Sequence, residues 1–212
     1  MTKPDPKDRL RWVHDAKTVD ELTERYDAWA EDYEEDLTMY GGKRMTNIMS
    51  DLVQRHINPG TGTILDAGAG TGKLGDLIIP FGHNDLIGID ISENMLKLAR
   101  KKGTYKHLEK MILGEDLNFE TNTFSHFVAT VVFREIHIPS KAFDELIRVT
   151  KPGGLGIFVI CDIINGASPY IDKQNALEKE GKWKLIEASD PFAGGDLKHG
   201  GGVYGSFVYQ IT

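Results

Sequence analysis

Two hydrophobic periodicities share the chain. From Thr18, Val19, Leu22, Tyr26, Trp29 and Tyr33 recur at three- and four-residue spacing, which predicts a helix with one apolar face. A second face follows Gly41-Gly42 with Met45, Ile48, Met49, Leu52, Val53 and Ile57, and Asn58-Pro59-Gly60 stops it. From residue 61 short apolar runs alternate with helical patterns. The predicted strands are 63–66, 85–90, 110–113, 124–133 and 155–160. The helices between them show Leu74, Leu77 and Ile78, then Met95, Leu96 and Ala99, then Phe143, Leu146 and Ile147. Ser92 and Ser140 stand where a hydroxyl can cap a helix, and Lys151-Pro152-Gly153-Gly154 predicts a turn into the fifth strand. Ser168-Pro169 opens a last helix, ended by Gly181. Strands 183–188 and 203–211 then follow with no helix between them, so they should pair antiparallel. Five successive βα units predict an α/β fold, a doubly wound and mostly parallel sheet with helices on both faces. Residues 1–60 read as an N-terminal tail with covering helices, and 61–212 as the α/β domain.

Composition narrows the partners. The 212 residues suit one domain with an appendage. With 32 acidic against 25 basic residues the net charge is −7, which disfavours a nucleic-acid partner. The single cysteine, Cys161, can form no intramolecular disulfide, and the seven histidines show no metal-ligand spacing. The opening Met1-Thr2-Lys3-Pro4-Asp5-Pro6 has no apolar signal region, and the longest apolar stretch, 155–164, contains Asp162. At about ten residues it is too short to span a bilayer. A soluble cytoplasmic protein, a monomer or weak dimer without a membrane partner, is the expectation. Residues 1–17 read as a frayed tail. The acids Glu31, Asp32, Glu34, Glu35 and Asp36 read as a solvated helix end, and Lys97, Arg100, Lys101, Lys102, Lys106 and Lys110 as a solvated basic face.

Chemistry concentrates in Asp66-Ala67-Gly68-Ala69-Gly70-Thr71-Gly72, between the first predicted strand and its helix. Glycines let backbone approach a ligand, and a helix start offers unpaired amides. A dinucleotide fingerprint wants glycine where Lys73 stands, and a phosphate loop wants Ser or Thr where Leu74 stands. Asp66 can instead face an ammonium group, with a carboxylate toward the amides. Asp90 ends the second strand, where a carboxylate can accept from both hydroxyls of a ribose. Ile91 and Met95 would flank adenine, and Gly114-Glu115-Asp116-Leu117 puts acids where its amine could donate. In register with three strands, these residues predict a pocket for a nucleoside joined to an amino acid.

The chain here resembles the class I S-adenosylmethionine-dependent methyltransferases. The likeness rests on 64–72, on Gly88-Ile89-Asp90-Ile91-Ser92 and on Arg148-Val149-Thr150-Lys151-Pro152-Gly153-Gly154. Arg25-Tyr26-Asp27-Ala28-Trp29-Ala30-Glu31-Asp32-Tyr33 is similar to the Williams–Beuren-syndrome-region methyltransferase-like proteins. The resemblance implies a seven-stranded sheet with its last strand reversed, and S-adenosylmethionine as cofactor with S-adenosylhomocysteine as product. It also implies N-terminal helices over the cofactor, with Tyr26, Trp29 and Tyr33 near it or simply packed as a stripe.

Ligands in such sheets bind beyond the carboxyl ends of the strands, which brings Arg134, Glu135, His137 and Asp162 toward a methyl acceptor. His137 is the candidate base because imidazole titrates near neutrality, and Glu135 is second. Helix capping is the competing role for His137. No Asn/Asp-Pro-Pro-Tyr/Phe segment follows strand four, which argues against nucleobase amino groups as acceptors. The glycine-rich stretch 190–205 reads equally as a lid or as a loose hairpin loop. The acceptor is expected to be a small molecule or a protein side chain. A binding module without catalysis, acting through a protein partner, is the alternative.

Overall fold

The computed structural model describes residues 3–39, 42–134, 138–161, 168–194 and 202–212. The apolar runs become β1 (Ile64–Ala67), β2 (Leu86–Asp90), β3 (His107–Lys110), β4 (Phe124–Phe133), β5 (Thr150–Cys161), β6 (Trp183–Ala188), β7 (Phe192–Gly194) and β8 (Gly202–Ile211). One sheet holds them in the order β3-β2-β1-β4-β5-β8-β6, with β7 paired to β8. β1 to β5 are parallel, and β8 runs antiparallel to its three partners. This is the expected doubly wound sheet with a reversed strand. The three-residue β7 is an addition.

Alternating side chains build a core on each face. β4 and β5 send Phe127, Ala129, Phe133, Phe158 and Ile160 toward α7 (Ala142–Val149) and α8 (Pro169–Lys179). Val128, Ile157, Val159 and Cys161 point the other way, toward α4 (Gly42–His56) and α5 (Lys73–Ile78). A smaller cluster packs Leu96 and Ala99 of α6 (Glu93–Lys102) on Leu108 and Ala69. The first face is aromatic. Phe158 has ring contacts with Phe127, Phe133, Phe143, Trp183, Phe207 and Tyr209.

Several expectations need correction. Of the expected frayed tail at 1–17, the described residues from 3 onward are folded: α1 (Arg9–His14) buries Val13, which with Ala16 packs against Leu22 and Trp29 of α2 (Val19–Trp29). Leu10, Val13 and Ala16 are apolar positions masked by the charges around them. The acidic run is not simply solvated either. Asp36, on α3 (Tyr33–Met39), is buried, accepting from Trp29 Nε1 at 2.7 Å and from Arg9 at 2.8 Å. β3 starts three residues before its predicted position, because only Leu108 of this edge strand is buried and no alternation marks it. Ser92 and Ser168 cap their helices, accepting from the N–H of Met95 and Tyr170. Ser140 does not: α7 begins at Ala142 with no side-chain cap. Lys151-Pro152-Gly153-Gly154 lies within β5 as a bulge, between the pairings of Thr150 with Phe124 and Leu155 with His126.

Candidate functional site

β1 is flanked by β2 and β4, and the chain leaves for opposite faces on either side of it. A crevice opens beyond the carboxyl ends at that point. The turn after β1 forms one wall. Gly68 and Gly70 have φ of +85° and +54°, conformations L side chains rarely adopt. A Cβ on Gly68 would stand 2.0 Å from Val132 Cγ1, whereas one on Gly70 would meet nothing within 4 Å. The N–H groups of Gly68 and Ala69 donate to the Ile89 carbonyl at 2.8 and 2.9 Å, which ties the turn to β2. Gly70 N–H donates to one oxygen of Asp90 at 2.8 Å, and Ser92 N–H donates to the other at 2.9 Å. Burial raises the Asp90 carboxyl to about 6 against the pull of these amides.

Asp66 is buried in β1. Its Oδ2 accepts from the Tyr105 hydroxyl at 2.6 Å, while its Oδ1 is buried with no hydrogen-bond partner. Burial pushes its carboxyl up to about 7; the Tyr105 hydrogen bond opposes this and the nearby Asp90 charge adds to it. Sequence reasoning missed Tyr105. The available signal was the glycines at 72, 75 and 88, where a Cβ would lie 3.1, 2.8 and 3.1 Å from its ring.

The floor of the crevice is the end of β4. Ala129 pairs with Phe158 and Phe133 with Ile160, so residues 130–132 bulge out of register. Val131 there has φ of +58°, a strained conformation for a β-branched residue. Thr130 Oγ1 is buried with no partner.

Two adjoining cavities, of about 120 and 100 Å³, fill the crevice and share Thr130–Val132, Tyr26, Tyr33, Gly68 and Gly70. Asp66, Ala69, Thr71, Arg134, Met45 and Tyr204 border the first. Asp90, Ile91, Met95, Met111, Ile112 and Leu113 border the second. Burial raises the phenol of Tyr26 to about 12 and that of Tyr33 as well, so both stay neutral. Polar contacts hold the covering helices in place. Asp27 Oδ1 accepts from Ser92 Oγ at 2.5 Å and from Asn94 N–H at 2.9 Å. Glu34 accepts from Thr71 Oγ1 and Lys102, each at 2.6 Å.

Of the residues picked out by sequence, Asp66, Gly68, Ala69, Gly70 and Tyr33 meet at the first cavity. Asp90, Ile91 and Met95 meet at the second. Gly72, with φ of +82°, starts α5 and borders neither. Glu115, Asp116 and Leu117 also border neither: Leu117 is buried in the core, and its N–H donates to Glu145 at 2.8 Å. The wall after β3 is instead the apolar Met111-Ile112-Leu113. Glu135, His137 and Asp162 lie outside the described residues, as does part of 190–205. Arg134 donates to Cys161 Sγ at 2.8 Å. Leu10 and His14 of α1 also border the first cavity and were missed with their helix. Among the described residues no cluster of three or more His, Cys, Asp and Glu could hold a metal, and no helix is long and apolar enough to cross a membrane.

The donor set fits a nucleoside joined to an amino acid. The unpartnered Asp66 oxygen suits a cationic amine, and the open side of Gly70 suits close backbone approach. Asp90 keeps lone pairs for a diol beyond its two N–H contacts, next to an apolar wall suited to a flat base.

A family described as "Methyltransferase domain" matches residues 65–158. The human protein named methyltransferase-like protein 27 is 30% identical over 179 residues, covering 82% of this chain and 70% of its own. A demethylmenaquinone methyltransferase of Symbiobacterium thermophilum is 32% identical over 160 residues, which cover 71% of this chain and 59% of that relative. The chain thus spans between about three fifths and seven tenths of these relatives' lengths. In fold it is similar to an S-adenosylmethionine dependent methyltransferase from Mesorhizobium loti, with a TM-score of 0.59, 16% identity, and coverage of 78% of this chain and 99% of that one.

Proposed function

Because the chain belongs to the class I S-adenosylmethionine-dependent methyltransferases, we propose that it methylates a small molecule with an apolar, aromatic reacting end, releasing S-adenosylhomocysteine. The observation that carries this is Asp66, whose Oδ1 is buried without a partner and which borders the same crevice as Asp90 across the glycine turn. Asp66 would take the amine of the cofactor, and Gly68, Ala69 and Gly70 would line its methionine part. Gly72 shapes the turn. Asp90 would accept from the ribose hydroxyls, with Ile91, Met95, Met111 and Leu113 against adenine. The apolar wall supports giving adenine recognition to these residues rather than to Glu115, Asp116 and Leu117.

When bound, S-adenosylmethionine supplies a methyl carbon already activated by its sulfonium. The protein's own task is then to align the acceptor and exclude water. Tyr26 and Tyr33 would roof the reacting end as neutral phenols. Leu10, Trp29, Leu37, Met45 and Tyr204 offer the acceptor an apolar, aromatic chamber, which supports a small molecule of that character. The relative named for demethylmenaquinone makes quinone-like compounds the first to screen. His137, with Glu135 second, is the proposed base for an acceptor that must lose a proton. The net charge of −7 favours such an acceptor over nucleic acid, and a soluble cytoplasmic setting goes with it.

Calorimetry with S-adenosylhomocysteine and with NAD, followed by transfer of labelled methyl into a metabolite extract, tests the reading. Binding of the first ligand alone, with label entering a small molecule, is expected. Binding of NAD instead would sink it, and cofactor binding without any transfer would favour the non-catalytic module.

A further inference from the structure

We propose that Tyr105 is a positioning residue for Asp66: it holds one carboxylate oxygen so that the other is presented to the amine of the cofactor. The inference rests on the assignment of Asp66 given above and goes beyond it.

Tyr105 precedes β3, far along the chain from Asp66, yet its hydroxyl reaches Oδ2 at 2.6 Å. The same hydroxyl accepts from Gly75 N–H at 3.2 Å. With that amide on a lone pair, the single phenolic proton is directed at the carboxylate. The ring cannot swing away, since it fills the space left by the missing side chains of Gly72, Gly75 and Gly88. Asp66 is therefore gripped from one side only. A carboxylate serving structure alone would have both oxygens engaged, because a buried acceptor left unpaired loses its hydration with nothing in return. Here Oδ1 has no partner and its residue borders the first cavity.

The surroundings make this grip matter. Asp90, at the end of β2, opposes ionisation of Asp66, and burial opposes it more strongly. Other groups facing the cavity are Lys73 of α5, already bound to Glu34, Arg134 after β4, His14 of α1, and the phenols of Tyr26 and Tyr33. Among the described residues, Tyr105 is the hydrogen-bond donor to Asp66, and it stabilises the charged form that an ammonium group needs.

The test is the affinity for S-adenosylhomocysteine by calorimetry between pH 5.5 and 8.5, for the wild type, Tyr105→Phe and Asp66→Asn. The wild type should lose affinity as pH falls through about 7, where the free carboxyl takes up its proton. Tyr105→Phe should move that midpoint upward. Its loss would be about tenfold at pH 7, narrowing to under about threefold at pH 8.5, while Asp66→Asn binds weakly with a profile that is flat from about pH 7 to 8.5 and falls only toward about pH 6, where Asp90 takes up its proton. A loss equal at every pH, or no loss, overturns the proposal. Should Tyr105→Phe fail to fold, 3-fluorotyrosine at position 105 provides a stronger donor and should move the midpoint down; an unmoved midpoint again overturns it. If the wild type binds no S-adenosylhomocysteine at any pH, the cofactor assignment itself fails. If it binds and Tyr105→Phe matches it throughout, only the role of Tyr105 fails.

Discussion

Phe158 lies among six aromatic rings on one face of the sheet, where the indole N–H of Trp183 is satisfied by the Gln174 carbonyl at 3.1 Å. The N-terminal cover is attached differently. Its helices α1 to α3 pack around Val13, Ala16, Leu22 and Trp29, with Ile91 from beyond β2 against that cluster, and they are also fastened through Asp27 at the start of α6 and Glu34 at the glycine turn. Apolar burial scales with area and is not weakened by charge screening, whereas ion pairs at a surface are individually weak and screened by salt. The contacts of Asp27 and Glu34 should therefore respond to salt and to single substitutions separately from the aromatic face.

The strongest challenge to this contrast is Phe158→Ala. It should cost about 3–5 kcal/mol in urea unfolding, as loss of a buried aromatic does. A cost below about 1.5 kcal/mol would mean the aromatic face is not the main support. Next comes Asp66→Asn in the ligand-free protein. The folded carboxyl titrates near 7 against an ordinary 3.8, so between those values the folded state holds a proton that the unfolded chain has released. Wild-type stability should fall as pH rises through that window. The substitution should remove the Asp66 share of this slope, leaving that of Asp90 below about pH 6, and stabilise the fold at pH 7.5 by roughly 1–3 kcal/mol, as read by thermal melts. A less stable variant would contradict the unpaired buried charge.

Asp27→Ala follows. Losing its contacts to Ser92 and Asn94 should cost about 1–2 kcal/mol, confined to the cover. Hydrogen exchange should quicken about 5- to 30-fold in α2 and stay unchanged in β1, β4 and β5; uniform quickening would show that cover and sheet open together. The smallest effect expected is that of Glu34→Gln, a few tenths of a kcal/mol because the group is partly exposed. It should make exchange in α3 insensitive to added salt, which in the wild type should raise it modestly.

Elements whose local pattern agreed with their final burial were legible from sequence. Phe124–Phe133 is the predicted fourth strand residue for residue, and Ser92 caps its helix as its position suggested. What escaped depended on distant partners. α1 is held by contacts to α2, and Asp36 is buried only because Arg9 and Trp29 reach it. β3 is an edge strand with one buried residue, so no alternation announced it. Tyr105 carries no motif, and its meaning lies in the glycines that yield to its ring.

The left-handed Val131 has one further consequence. Its strain, about 1–3 kcal/mol, sits where Gly68 packs on Val132 and both cavities share their floor. Laboratory evolution for heat resistance alone should keep discovering glycine or asparagine at this codon, because either relaxes the backbone cheaply. Evolution for turnover should keep rejecting them, since slack in the floor lets the two reactants drift apart. The two selections would part company at one residue of the shared floor.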